Sequence, residues 1–223
     1  MEAVTRTVFA IANSCPASSS MPPKDEGKCI SMHQPWASLL VHGVKRIEGR
    51  SWPTDLRGRL WVHATAKAPD PQHVREVEAL YRTIYEMEGK TVRFPESYPS
   101  GVLLGCVEVV DCLQGTDVEG WEGLPDSIKL EVGSPYCFLC EQPQRLLVLH
   151  PVRGWPGIWK LPKKIVDTAG VGLARPTCVE GEHSWKRFGR PKVSLQGQRP
   201  TSGRENMWKE KYGNALNRGG VGQ

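Results

Sequence analysis

Eight consecutive residues, Gly43-Val44-Lys45-Arg46-Ile47-Glu48-Gly49-Arg50, carry four charged side chains in the middle of an otherwise ordinary chain. On an extended backbone alternate side chains share a face, which puts Lys45 and Ile47 on one side and Arg46, Glu48 and Arg50 on the other. Groups this long and charged are costly to bury, so they belong on a solvated edge or around a polar cleft. A carboxylate between cations is favoured in its charged form. It then accepts a hydrogen bond from the edge of a base, or takes a proton from water. Lys45 and Arg50 suit phosphate or carbonyl oxygens. Spacing alone favours a surface strand laced with ion pairs.

The surrounding elements can be read from pattern. Residues 29–32 form a short strand. A helix follows, with Pro35 at its first position, Trp36, Leu39 and Leu40 on one face, and Gly43 as the stop. The charged segment is extended over 44–52. Leu60, Val62 and Ala64 alternate along a strand at 60–66. Asp70-Pro71 opens a second helix, an Asp cap ahead of a first-turn proline. Val74, Val77, Leu80, Ile84 and Met87 recur at helical spacing, Glu78 and Arg82 are spaced as an ion pair, and Gly89 ends it. A long apolar strand covers 102–113, with Gly105 as a bulge or close-approach point. Residues 115–133 read as irregular, with a short helix near 125–130. Residues 136–140 and 145–150 are a strand pair or one long bent strand, and 155–161 closes the domain.

This alternation of short strands and helices gives an α+β fold: a small barrel of five to six mostly antiparallel strands with two main helices. The domain is expected at 29–164. Residues 1–28 read as a disordered leader, with a weaker alternative reading of 1–20 as an organelle transit peptide. Residues 165–223 read as a mostly disordered basic tail.

Composition supports that division. Hydrophobic residues are 39% of 223, and the flanks hold few of them. Basic and acidic residues balance from 1 to 175, so the net charge of +5 comes from the C-terminal flank. A neutral domain with a basic tail suits a polyanionic partner. Within the tail, Lys186, Arg187, Arg190 and Lys192 alternate with Trp185 and Phe188, a pattern fit for phosphate neutralisation and stacking. Seven irregularly spaced cysteines read as reduced thiols of a nuclear or cytoplasmic protein. No apolar run is long enough for a membrane span. Cys137-x-x-Cys140 lacks the further ligands a zinc site needs, and on a strand its side chains point to opposite faces. No phosphate-binding loop or nucleophile elbow is present. Neither metal nor cofactor is expected, and the chain is expected to be a monomer.

The segment CISMHQPWASLLVHGVKRIEGRSW, residues 29–52, resembles the opening of the ASCH domain. Its mark is a G-x-K-x-x-E-x-R signature after the first helix, matched here by Gly43, Lys45, Glu48 and Arg50. GRLWVHATAK at 58–67, YPSGVLLGCVEVVDCL at 98–113, SPYCFLC at 134–140 and GWPGIWKL at 154–161 extend the resemblance to 29–164. Within the family these blocks look like the ASCH domain of a vertebrate transcription coactivator. The resemblance implies a PUA-like barrel with a cleft beside the signature, and a nucleic-acid role, with single-stranded RNA or DNA as partner and RNA the more expected. Transcription or RNA-processing proteins are further implied partners. On that footing Lys45, Glu48 and Arg50 line the cleft, Thr65 and Lys67 form its opposite wall, and the N-terminus of the first helix offers anion-binding amides. Trp36 stacks a base or packs in the core. Two other readings stand beside this one. One is a small hydrolase of modified nucleosides or RNA, with Lys45 and Glu48 as its catalytic pair; Glu48 replaces the threonine of a related bacterial amidohydrolase branch. The other is a protein-interaction module of a coactivator complex.

Overall fold

The computed structural model describes residues 25–179, 181 and 183–191. One curled mixed sheet organises them. Its strands are β1 (Lys28–Met32), β2 (Ile47–Arg50), β3 (Gly58–Ala64), β4 (Val102–Gln114), β5 (Tyr136–Pro151), β6 (Ile158–Lys160) and β7 (Leu173–Ala174). The hydrogen-bonded order is β2-β5-β4-β3-β1-β6, and β7 adds to β5. Only β1 and β3 run parallel among these pairs. The expected barrel of mostly antiparallel strands is therefore present as a half-barrel, with seven strands once the very short β6 and β7 are included.

Residues 136–151 form one long strand, the second of the two expected forms, and Gln142 takes a positive φ of 50° where it bends. Gly105 sits at a register shift between β4 and β5. Its φ is +156°, and a Cβ there would collide with the Gln144 carbonyl oxygen, so the strands close only over glycine.

Helix α1 (Trp36–Val41) starts one residue later than expected, with Pro35 as its cap. It stops as the sequence predicts. Gly43, at φ +72°, donates its N–H to Leu40 O, and Val44 donates to Leu39 O, the paired bonds of a glycine-terminated helix end. Helix α2 (Pro71–Met87) begins where Asp70 accepts the Gln72 N–H. Its buried face is His73, Val77, Leu80, Tyr81, Ile84 and Tyr85. Met87, expected on that face, is exposed. The expected Glu78–Arg82 pair does not form either: Glu78 accepts from Tyr98 Oη, and the Arg82 guanidinium lies over the Phe94 ring. Two short helices, α3 (Gly115–Glu119) and α4 (Asp126–Lys129), occupy the span read as irregular; only α4 was anticipated.

Three apolar clusters hold these elements together. The largest packs α1 and α2 on one sheet face through Leu39, Leu60, Val62, Ala64, Val77 and Ile84. The second joins Ile47, Val118, Trp121, Ile128, Leu139 and Trp185. The third lies on the reverse face, where Trp61, Leu103 and Leu161 meet α5 (Lys163–Val171) through Ala169. The fold thus continues beyond Lys164. Helix α5 buries a single alanine and β7 has two residues, so neither leaves an amphipathic signature to read. Past them, Trp185 anchors a 3₁₀ turn (Trp185–Phe188) in the second cluster. The expected leader lies, up to residue 24, outside the described residues, as do Lys192 and the remainder of the tail.

Cys137 and Cys140 point into different clusters, as alternation on a strand requires. Burial pushes the Cys137 thiol up to about 12 and raises that of Cys140 as well. No helix of the described residues is long and apolar enough to cross a membrane.

Candidate functional site

The turn that ends α1 delivers the charged segment into the sheet. The Lys45 N–H still bonds to Leu39 O, and regular β2 pairing with β5 starts only at Ile47. The alternation expected over 45–50 therefore fails at its start. Lys45 swings to the side of Glu48, and Arg46 leaves on its own. Lys45 Nζ lies 3.2 Å from Glu48 Oε2 and also donates to the Ile47 carbonyl. Arg50 Nη2 lies 2.8 Å from Glu48 Oε1. One carboxylate is thus shared by two cations, with Lys45 and Glu48 buried and Arg50 partly open.

Arg46 is what secures this segment to the rest of the fold. Its Nε meets Glu131 Oε1 at 2.6 Å and its Nη1 meets Glu88 Oε1 at 2.6 Å. Glu131 Oε2 accepts the backbone N–H groups of Arg46 and Ile47, and Tyr81 Oη donates to it at 3.4 Å. The fully buried Glu131 carboxylate therefore holds the signature strand by main chain and side chain together. Burial pulls the Arg46 pKa down, but Glu131, Tyr85 and Glu88 outweigh it and raise the value. Burial pushes the other way on Glu88, yet Arg46 and hydrogen bonds from Lys90, Arg46 and Ser127 bring it down to about 2.

Lys45, Glu48 and Arg50 open onto a cleft of about 80 Å³ between β2, α1, α2 and the segment after α4. Trp36, His33, Tyr81, Glu131 and Ser134 also line it. The Trp36 ring packs in the main core, edge-on to His73 and Tyr81, with Lys45 Nζ 5.8 Å from its centroid. Its indole Nε1 is buried and has no hydrogen-bond partner among the described residues. Arg50 Nε is in the same condition.

The structure thus brings Trp36, Lys45, Glu48 and Arg50 to one cleft. Thr65 and Lys67 do not line it. Thr65 Oγ1 lies 2.9 Å from His33 Nδ1, one step removed from the cleft, and Lys67 is exposed. Burial, then the charges of Lys67 and Arg50, lower the His33 pKa. The α1 amides expected to face an anion are already engaged: Ala37 N–H bonds to His33 O and Ser38 N–H to the Gln34 side chain. Lys186, Arg187 and Arg190 lie at and just after the 3₁₀ turn, on the outside of the fold. Sequence reasoning missed Tyr81 and Glu131. Tyr81 sits beside Leu80 on the buried stripe of α2 and was within reach of a periodicity argument. Glu131 follows a four-residue helix 85 positions from Arg46, and nothing local marks it.

Comparison with known proteins agrees with the resemblance in the sequence. A family profile for the ASCH domain matches residues 30–149. Activating signal cointegrator 1 of Homo sapiens is 53% identical over 151 residues, 68% of this chain and 25% of that protein. Its Mus musculus counterpart is 52% identical over the same shares. The chain spans about a quarter of the length of these relatives. Among solved structures, ASCH from Zymomonas mobilis aligns with a TM-score of 0.38 at 14% identity, over 68% of this chain and 98% of that one. A serine-to-alanine mutant of the same bacterial protein gives the same TM-score and identity, over 69% of this chain and 100% of that one. With the profile covering more than half of its length, this chain belongs to the ASCH domain family.

Proposed function

We propose that this chain is a nucleic-acid-binding module that holds one base of a single strand, RNA in preference to DNA, in the signature cleft. The observation that carries this is Glu48, fixed between Lys45 and Arg50, opening on the same cleft as a Trp36 whose buried indole N–H has no partner among the described residues. A buried donor without an acceptor costs about 1–3 kcal/mol, and an incoming carbonyl removes that cost. A base edge supplies both complements, a carbonyl for Trp36 and Arg50 and an amino group for Glu48. At about 80 Å³ the cleft suits the edge of a single unpaired base. Lys67, Lys186, Arg187 and Arg190 add affinity for phosphates that weakens with salt. The relatives named activating signal cointegrator 1 support a nuclear setting and a part in transcriptional coregulation, alongside transcription or RNA-processing proteins. The hydrolase reading gains no support from the geometry. Both Glu48 oxygens are already engaged, one by Lys45 and one by Arg50.

The test is a titration of fluorescent single-stranded RNA and DNA with the wild type, Trp36→Phe and Lys45→Ala, at two salt concentrations, with the RNA checked for cleavage. Trp36→Phe removes the donor and keeps a ring. We expect it to weaken RNA binding by about tenfold, the scale of one hydrogen bond to a polar edge, with intact RNA and an unchanged salt slope. Equal affinity for wild type and both variants would refute the cleft as the reader.

A further inference from the structure

A second, larger cavity, about 390 Å³, lies on the Arg46 side of the signature segment and shares Lys45 with the first. We propose that it is a site for a small organic phosphate of mononucleotide size, separate from the base-reading cleft. Its size is in the range of small-molecule sites.

Its floor is the end of α2 and the bend of β5. Its outer wall is a strap formed by the described residues of the stretch from Arg175 to Phe188, among them Pro176, Val179, Gly181 and His183. The strap is pinned at two places. Val179 bridges Val92, and Arg93 N–H donates to Cys178 O. Further on, Trp185 N–H donates to Glu141, Trp185 Nε1 donates to Cys140 O, and Trp121 Nε1 donates to Phe188 O. These bonds hold the strap across the opening.

Two buried nitrogens on this wall and floor have no hydrogen-bond partner among the described residues: Arg46 Nη2 and His183 Nε2. Arg46 is only 4% exposed, so its spare nitrogen cannot turn to bulk water. Lys90 and Arg187 face the same space. The two acids among the described lining residues are committed. Glu88 is shared by Arg46, Lys90 and Ser127, and Glu141 accepts from Trp185. Among the described residues the polar side is therefore rich in donors, and its carboxylates are already engaged. Arg46 just before β2, Lys90 just after α2 and Arg187 on the strap bring donors from three separate segments, which suits an oxyanion with several acceptor oxygens. The remaining lining, Leu40, Val107, Ile128 and Phe188, is apolar and takes the organic body. Burial and the neighbouring Arg46 charge keep His183 neutral, so it adds no charge of its own.

The experiment is calorimetric titration of the full chain with uridine 5′-monophosphate and phenyl phosphate, with uridine and phenol as uncharged controls. Melting temperature is read in parallel. Lys90→Ala/Arg187→Ala removes exposed rim cations without touching the core, and Trp36→Phe marks the other cleft. The expected result is millimolar or tighter binding of at least one phosphate and none of its uncharged control. Affinity should fall about tenfold in the rim variant, the scale of a lost charge-assisted bond, and stay unchanged in Trp36→Phe. The proposal is overturned if neither phosphate binds at millimolar concentration, or if the controls bind equally. It is also overturned if Trp36→Phe rather than the rim variant abolishes binding, which would place the ligand in the signature cleft.

Discussion

Replacing Glu131 with glutamine tests whether one buried carboxylate fixes the signature strand. Glu131 accepts Arg46 Nε at 2.6 Å, Arg46 N at 2.7 Å, Ile47 N at 3.1 Å and Tyr81 Oη at 3.4 Å. A glutamine amide has one acceptor oxygen. Placed toward the two backbone N–H groups, it turns its NH₂ against the Arg46 Nε–H. Flipped, it leaves both backbone amides facing donors. In either orientation Arg46 keeps only Glu88 as counter-charge, in a place where the arginine is buried. Breaking a buried pair from one side costs about 3–5 kcal/mol. With an m-value of about 2 kcal/mol/M, a loss of about 3 kcal/mol lowers the urea midpoint by about 1.5 M at constant slope. A companion variant separates main chain from side chain. Arg46→Met/Glu131→Leu removes both charges, which for a simple buried pair is often neutral. Here it should stay destabilised by about 1–3 kcal/mol for each backbone N–H left unpaired. A midpoint within about 0.5 M of wild type for Glu131→Gln, on the same scale, would refute the reasoning and show that β2 is held by its pairing with β5 alone.

Other outcomes follow from single features. Gly105→Ala places a Cβ against the Gln144 carbonyl at a backbone angle that L residues rarely take, and should cost about 3 kcal/mol in urea unfolding. Trp185→Ala should release the strap as well as lose about 3–5 kcal/mol, seen as amide exchange accelerated more at Val179 and Phe188 than in β3. Folding lowers the His183 pKa from 6.5 to about 3, through burial first and the Arg46 charge second. The unfolded chain therefore binds the extra proton in between, and strap docking should be full above about pH 6.5 and weaken toward pH 3. Exchange of the Trp185 amide, corrected for intrinsic rate, reads it; a flat profile in wild type would contradict it. Glu88 adds a second acid-side loss. Its folded value of about 2 against 4.5 unfolded means its contribution is present above pH 4.5 and disappears as pH falls toward 2, and Glu88→Gln should remove that component.

Much of the fold was legible because its signals are local. The Asp70-Pro71 start, the Gly43 stop, the alternation of Leu60, Val62 and Ala64, and the close approach at Gly105 each depend on a few neighbouring residues and on backbone sterics. The signature segment was legible too, through the resemblance rather than the spacing: Lys45, Glu48 and Arg50 share a cleft with Trp36. What the sequence could not decide was direction. Period-two alternation assumes a strand from the first residue, but the turn closing α1 delays β2 to Ile47, and that delay puts Lys45 with Glu48 and sends Arg46 the other way. Nor could it find Glu131, Glu88 or the Trp185 strap, because each meets the signature strand or β5 across tens of residues. Such contacts leave no period in the chain. Only packing assigns Arg46 its two carboxylates and Trp185 its place in the core, since burying a charge or an indole is favourable only where distant elements supply its partners.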